Sequence, residues 1–176
     1  MLSILEVIAT LNRMEADGVV RRYAIGGAVG ATFYLEPVAT LDVDVFVALE
    51  ASPGSLLVEV EPILWYLRSR GGRVEGEYVH VAGWPVQLLP PTGPLVDEAL
   101  AEAVTVNVQG TAARVFTAEH LAAVALQTGR AKDKARLLQF IESGVLDAGR
   151  FRAILARHAL LDAWDRFERQ FLTDTP

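Results

Sequence analysis

The chain has no cysteine, so neither a disulfide framework nor a thiolate metal site can form, and the lack fits a reducing cytoplasm. Histidine is almost as scarce. His80, His120 and His158 are the three in the sequence, and no two stand at metal-ligand spacing, which leaves them as ordinary surface or half-buried side chains. Positive charge is short as well: 16 Lys and Arg against 22 Asp and Glu give a formal net charge of -6. That balance excludes coating of duplex DNA or an anionic membrane through bulk charge. Long uninterrupted apolar runs are missing too. The opening "MLSILEVIATLNRMEADG" is broken by Glu6, Arg13 and Glu15 and lacks a basic leader with a small-residue cleavage site, so it reads as neither signal peptide nor membrane span. No internal repeat, low-complexity tract or Pro/Ser-rich linker divides the chain.

What is present is 176 residues that are 52% apolar, enough to bury one real core. Ser3 and Glu6 have capping-box spacing ahead of an apolar face, which predicts a helix from Ile4 to Ala16 ended by Gly18. A short strand, Arg22 to Ile25, runs into Gly26-Gly27. A helix from Ala28 to Leu35 follows, closed by Pro37, and "DVDVFVAL", Asp42 to Leu49, reads as a central strand. Leu56 to Arg70 has helical spacing and a Gly71-Gly72 stop.

Arg73 to Glu75, Tyr78 to Val81 and Trp84 to Leu89 read as successive antiparallel strands, with Ala82-Gly83 as a hairpin turn and Pro90-Pro91 as the end. A helix over Val96 to Ala103 leads to strands Val104 to Val108 and Ala112 to Phe116, paired across Gln109-Gly110. From Thr117, a capping residue, the remainder is helical, with Gly129, Gly144 and Gly149 as interruptions. The expectation is an α+β fold: a mixed sheet flanked by helices over residues 1–116, and a C-terminal helical lobe, 117–176, packed on it. Trp65, Trp84 and Trp164 read as core or interface anchors.

Asp42 and Asp44 are two apart on one strand and therefore share a face. Two carboxylates held that close repel unless a cation lies between them, and oxygen-only ligands suit magnesium that takes its other ligands from nucleotide phosphates. The Gly26-Gly27 turn ahead of a helix offers free backbone N–H groups to the same phosphates. Alone, Asp-x-Asp is usually a solvated strand end and Gly-Gly usually turn geometry. Their order sharpens the reading.

The stretch "IGGAVGATFYLEPVATLDVDVFV" resembles the signature of the nucleotidyltransferase superfamily: a hydrophobic residue and Gly-Gly, a helix, then Asp-x-Asp on the next strand. "TLDVDVFV" and "VFTAEHLAAVALQTGRAKDKARL" are similar to stretches of its AbiEii-like toxin group, and the order of elements agrees from Tyr23 to Phe140. The resemblance implies a nucleotidyltransferase-like fold and metal-dependent transfer of a nucleoside monophosphate from an NTP to an acceptor hydroxyl on RNA, protein or a small molecule. It implies that Asp42 and Asp44 bind Mg2+ (or Mn2+), and that Gly26, Gly27 and Thr40 hold the nucleotide. Basic side chains of "GRAKDKARL" (Arg130, Lys132, Lys134) would neutralise the triphosphate, Lys132 or Lys134 ahead of Arg136, with Asp133 orienting one of the bases. On residues alone, that segment reads first as a solvated helix face laced with Asp133 and Glu142.

The sequence departs from the family at two points. Val38 stands where the related group often carries Arg. "GWPVQLLPP" has Gln87 where the pattern has a third carboxylate, and an amide cannot accept a proton as a carboxylate does. Glu75 and Glu77 are nearby carboxylates that the sequence does not place in the site.

Two readings therefore stand: a working transferase with catalytic Asp42, Asp44 and Gln87, or the same fold kept as a nucleotide-binding or protein-interaction module. The second would meet a partner such as an antitoxin through its C-terminal helices. A glycosyltransferase using Asp-x-Asp to hold a sugar nucleotide would need a larger nucleotide-binding domain and leaves Gly-Gly unexplained.

Overall fold

A computed structural model describes residues 3–37, 40–49 and 60–172. The first helix, α1 (Ile4–Ala16), starts where the Ser3 hydroxyl accepts from the Glu6 N–H at 3.4 Å and ends before Gly18, whose φ is 71°. Strand β1 (Arg22–Ile25) then enters the two glycines, and α2 (Gly27–Ala31) is shorter than its pattern predicts. Strand β2 (Val43–Ala48) alternates buried and half-buried residues. Helix α3 (Glu61–Ser69) occupies the C-terminal part of the expected span Leu56 to Arg70, of which 56–59 lie outside the described residues. Trp65, expected as an anchor, lies 68% exposed on it.

Strands β3 (Arg73–Glu75), β4 (Tyr78–Val81) and β5 (Trp84–Leu89) have the expected limits. The β4–β5 hairpin closes through Ala82 and Gly83, both at positive φ, the conformation a two-residue hairpin turn of this hand requires. Helix α4 (Pro94–Ala101), strands β6 (Val104–Val108) and β7 (Thr111–Val115), and helices α5 (Ala118–Thr128), α6 (Ala131–Ser143), α7 (Ala148–Arg157) and α8 (Leu161–Phe171) complete the chain. Gly129 and Gly144 end helices in the left-handed conformation. Gly149, expected as a third interruption, instead lies inside α7; the next break comes at Ala159, φ 54°.

The strands form one mixed sheet in the order β3-β4-β5-β2-β1-β7-β6. β1 runs antiparallel to β2 and parallel to β7, whereas β2 runs parallel to β5. Side-chain alternation gives the sheet two faces. Tyr23, Ile25, Val43, Val45, Val47, Val79 and Val115 pack under α1 and α3. Ala24, Phe46 and Phe116 face the other way and join one apolar cluster with α4, α5, α6, α7 and α8.

A polar knot joins the helices on that second face. Glu98 of α4 accepts from Arg157, from His158 Nε2 at 2.8 Å and from His120 Nε2 at 3.2 Å. His120 is fully buried, so it is no surface histidine. Its ring meets Glu98 at one nitrogen and the Thr117 hydroxyl, 2.8 Å away, at the other. Among the described residues no helix is long and apolar enough to cross a membrane.

Candidate nucleotide site

The mixed α+β fold with its helical C-terminal third puts the two sequence aspartates at the centre of the sheet. Pairing of β2 with β5 sets Asp44 opposite Gln87, and pairing of β5 with β4 sets Gln87 opposite Tyr78. Residues opposite each other point to one face, so Asp44, Gln87 and Tyr78 form a row; Asp42, expected inside the strand, stands one residue before β2 and two before Asp44. The row lies on the face covered by the C-terminal helices, beyond the Phe46–Phe116 stack, whose ring centroids are 4.8 Å apart.

The glycine turn lies beneath this row. Gly26 N donates to the Asp44 carbonyl at 3.0 Å, which ties the turn to β2. At Gly27 φ is +56°, and a Cβ there would meet Asp44 Oδ2 at 1.7 Å. Glycine is required twice over at this position, by conformation and by the carboxylate resting on the backbone. No side chain caps the start of α2. The Thr40 hydroxyl sits 3.2 Å from the Asp42 carbonyl and 3.3 Å from Asp42 Oδ1, so it braces Asp42 itself.

Charge in the site is divided. Burial pushes the Asp44 carboxyl above its ordinary range, and the neighbouring Asp42 charge pushes it further; Lys132, Arg136 and Arg130 pull it back. All three belong to α6 or to its N-cap, and their charges bear on Asp44. Asp133, 3% exposed, accepts from Arg130 Nε at 2.6 Å and lies 3.7 Å from Arg136 Nη1. The base it orients is therefore Arg130 together with Arg136. Lys134 points elsewhere: its ammonium lies 5.8 Å from the centre of the Phe171 ring on α8.

Two further side chains enter the site from the β3–β4 hairpin. Gln87 Nε2 donates to Glu77 Oε2 at 3.0 Å. The Tyr78 phenol is pushed up by burial first, then by the negative charges of Glu77, Asp42 and Asp44. Glu75, by contrast, is held by Arg73 at 3.2 Å and His80 at 3.4 Å. Sequence reasoning left Glu77 unplaced and did not single out Tyr78. The signal was present in the hairpin register, since Tyr78 opposite Gln87 follows once the Ala82-Gly83 turn is fixed. Val38 lies outside the described residues.

The donor set suits a hard divalent cation: two carboxylates two residues apart, without sulfur or imidazole, the charge of Asp42 opposing that of Asp44. A groove on the opposite side of the sheet, lined by Arg13, Leu67, Arg70 and His80 among others, shares no residue with this site.

No protein-family model and no curated protein matches the sequence. Solved structures do. An antigenic nucleotidyltransferase-like protein from Paracoccidioides brasiliensis is similar with a TM-score of 0.55 at 17% identity, over 90% of this chain and 91% of its own. ANT(2")-Ia in complex with adenylyl-2"-tobramycin matches with a TM-score of 0.55 at 15% identity, over 87% of this chain and 95% of that one. The solution structure of the antibiotic-resistance factor ANT(2'')-Ia gives 0.56 at 15%, over 94% and 95%. At such identities it is the architecture that is shared, and the chain has a nucleotidyltransferase-like fold.

Proposed function

We propose that this chain is a metal-dependent nucleotidyltransferase that moves a nucleoside monophosphate from an NTP to an acceptor hydroxyl on RNA, protein or a small molecule. One observation carries the reading: Asp42 and Asp44 share the sheet face on which Lys132, Arg136 and Arg130 act electrostatically, with the Gly27 backbone directly under the Asp44 carboxylate. Each part answers a need of phosphoryl transfer, which is mostly positioning and charge stabilisation. Asp42 and Asp44 would hold Mg2+ or Mn2+, and a cation bound there supplies stabilisation of the negative charge that develops on the phosphates. Lys132, with Arg130 and Arg136, neutralises the triphosphate, and the uncapped backbone N–H groups after Gly26 give it hydrogen bonds. Thr40, through Asp42, acts as a brace for the carboxylate. The acceptor oxygen forms its bond to the α-phosphorus as the bond to pyrophosphate breaks.

A fold neighbour seen with adenylyl-2"-tobramycin supports a hydroxylated small molecule among the acceptor classes. The narrower AbiEii-like toxin reading rests on the sequence stretches around Asp42 and Arg130; expression that arrests bacterial growth, relieved by Asp44→Asn, would support it, and harmless expression would sink it.

The experiment is calorimetric titration of each NTP, with and without magnesium, into the wild type and Asp44→Asn. Magnesium-dependent binding that the variant loses is the expected result. No binding by a well-folded wild type overturns the reading. One observation favours a lapsed enzyme that binds nucleotide or a protein partner without turnover: the amide of Gln87 occupies the sheet position opposite Asp44. In that case magnesium-dependent binding persists without pyrophosphate release.

A further inference from the structure

Gln87 stands where a carboxylate would complete the site, yet its amide is not idle. Its Nε2 donates to Glu77 Oε2 at 3.0 Å, which leaves the Gln87 oxygen as an acceptor and fixes the Glu77 carboxylate over β5. Glu77 comes from the turn between β3 and β4, and its neighbour Gly76 has φ 61°. That turn lets the chain fold back so that a side chain outside the strand reaches the row of Asp44, Gln87 and Tyr78. Glu77 thus reaches, through the 3.0 Å contact with Gln87, the residue that the sheet register sets beside Asp44.

The remaining acid of the hairpin is committed elsewhere, since Glu75 pairs with Arg73 and His80. Among the described residues Glu77 is in no ion pair, and it is exposed. A carboxylate oriented by a neutral amide is the kind of side chain that serves as a general base.

We propose that Glu77 supplies the third carboxylate of this site, delivered from the β3–β4 turn and positioned by Gln87. The proposal rests on the nucleotidyltransferase reading and assigns its missing proton acceptor. The acceptor hydroxyl gives its proton to Glu77 while its oxygen bonds to the α-phosphorus; the electron pair of the broken bond leaves with pyrophosphate. Glu77 is then a catalytic residue that touches the acceptor, and Gln87 a positioning residue that touches Glu77.

The test uses the full chain with magnesium and each NTP as probe, with water and glycerol as hydroxyl donors. Calorimetry reads nucleotide binding and a coupled assay reads pyrophosphate release in the wild type, Glu77→Gln, and the exchange variant Glu77→Gln with Gln87→Glu. Glutamine at 77 keeps the size of the side chain and an oxygen for the Gln87 amide, so the fold is not at stake. The expected result is nucleotide affinity within about twofold of the wild type for Glu77→Gln and pyrophosphate release lower by about 10²-fold or more, the usual worth of a general base. The exchange variant should recover at least about tenfold of that loss, because it returns a carboxylate to the position opposite Asp44.

A wild type that binds Mg·NTP but releases pyrophosphate no faster than Glu77→Gln overturns this inference alone. Equal loss of binding and release in Glu77→Gln also overturns it, by making Glu77 part of nucleotide binding. A wild type that binds no NTP overturns the functional reading and this inference with it.

Discussion

The Oδ2 atom of Asp44 occupies the space that a Cβ on Gly27 would need, 1.7 Å from its position. Gly27→Ala therefore meets two costs. A left-handed backbone costs alanine about 1–2 kcal/mol, and the methyl group must drive the carboxylate off its perch. Expected are a Tm lower by about 2–8 °C for a chain of this size and magnesium-dependent NTP affinity reduced by about tenfold or more, one power of ten being about 1.4 kcal/mol. Thermal melts and calorimetry check both; unchanged affinity would separate Asp44 from the glycine turn.

Gly26→Ala should fail differently. Its Cβ would meet Phe46 Cε2 at 2.6 Å and Phe116 Cδ2 at 3.3 Å, so the insult falls on the stacked rings of the core. Overpacking of this kind costs about 1–3 kcal/mol. Denaturant melts should show the loss, while any protein that remains folded should bind nucleotide with affinity closer to the wild type than Gly27→Ala does.

Lys132 and Lys134 are two residues apart and face different partners. Lys132 acts on Asp44, whereas Lys134 lies over Phe171. Lys132→Ala should weaken NTP binding by about tenfold, as expected for a lost charge-assisted contact of 1.5–3 kcal/mol partly screened by solvent. Lys134→Ala should leave binding unchanged and cost at most about 1 kcal/mol of stability, the scale of an exposed cation–π contact. Equal effects in the two variants would refute the assignment.

Asp44 carries a stability cost in the free protein. Its carboxyl is raised by burial and then by Asp42, so the folded state holds the proton more tightly than the unfolded one. The penalty is absent below the unfolded value, grows as pH rises from there toward the folded one, and is complete above it. Asp44→Asn should therefore raise Tm at pH 7 while abolishing magnesium-dependent binding, with each 1 kcal/mol gained showing as about 2–4 °C. The difference should vanish in acid. A lower Tm at pH 7 would mean that the carboxylate stabilises the empty site.

Glu98 gives the opposite sign. Arg157, above all, holds its carboxyl down at about 2 from an ordinary 4.5, with His158 and His120 adding to the effect against burial. That contribution is complete above the unfolded value and is lost as pH falls from 4.5 toward 2. Burial lowers the proton affinity of His120 below its ordinary 6.5, so stability also falls as pH drops below that value. Glu98→Gln should flatten the acid limb of a stability profile below pH 4.5 and lower stability at pH 7. An unaltered acid limb would remove Glu98 from the account.

Much of the architecture is legible in the sequence because its signals are local. Ser3 and Thr117 cap helices through their own hydroxyls. Positive φ at Ala82-Gly83 and Gln109-Gly110 closes hairpins whose strands alternate as expected. Helix limits were harder to read: Gly149 tolerates a position inside α7, and Trp65 on α3 faces solvent instead of a core. Apolar content alone does not say which face meets a partner element.

The amino-acid sequence by itself determined that Asp42 and Asp44 share a side, since strand periodicity is two, and that a glycine turn precedes them, since only glycine accepts the Gly27 conformation beside a carboxylate. Only tertiary structure decided which charges meet them. Helix period left Lys132, Lys134 and Arg136 all eligible, and in the packed chain the charges of Lys132 and Arg136 bear on Asp44 while Lys134 lies over the Phe171 ring of α8. Spacing likewise could not choose between Glu75 and Glu77. The fold-back of the β3–β4 hairpin onto β5 gave Glu77 to Gln87 and Glu75 to Arg73 and His80, because contacts between strands depend on register, which is a property of the assembled sheet.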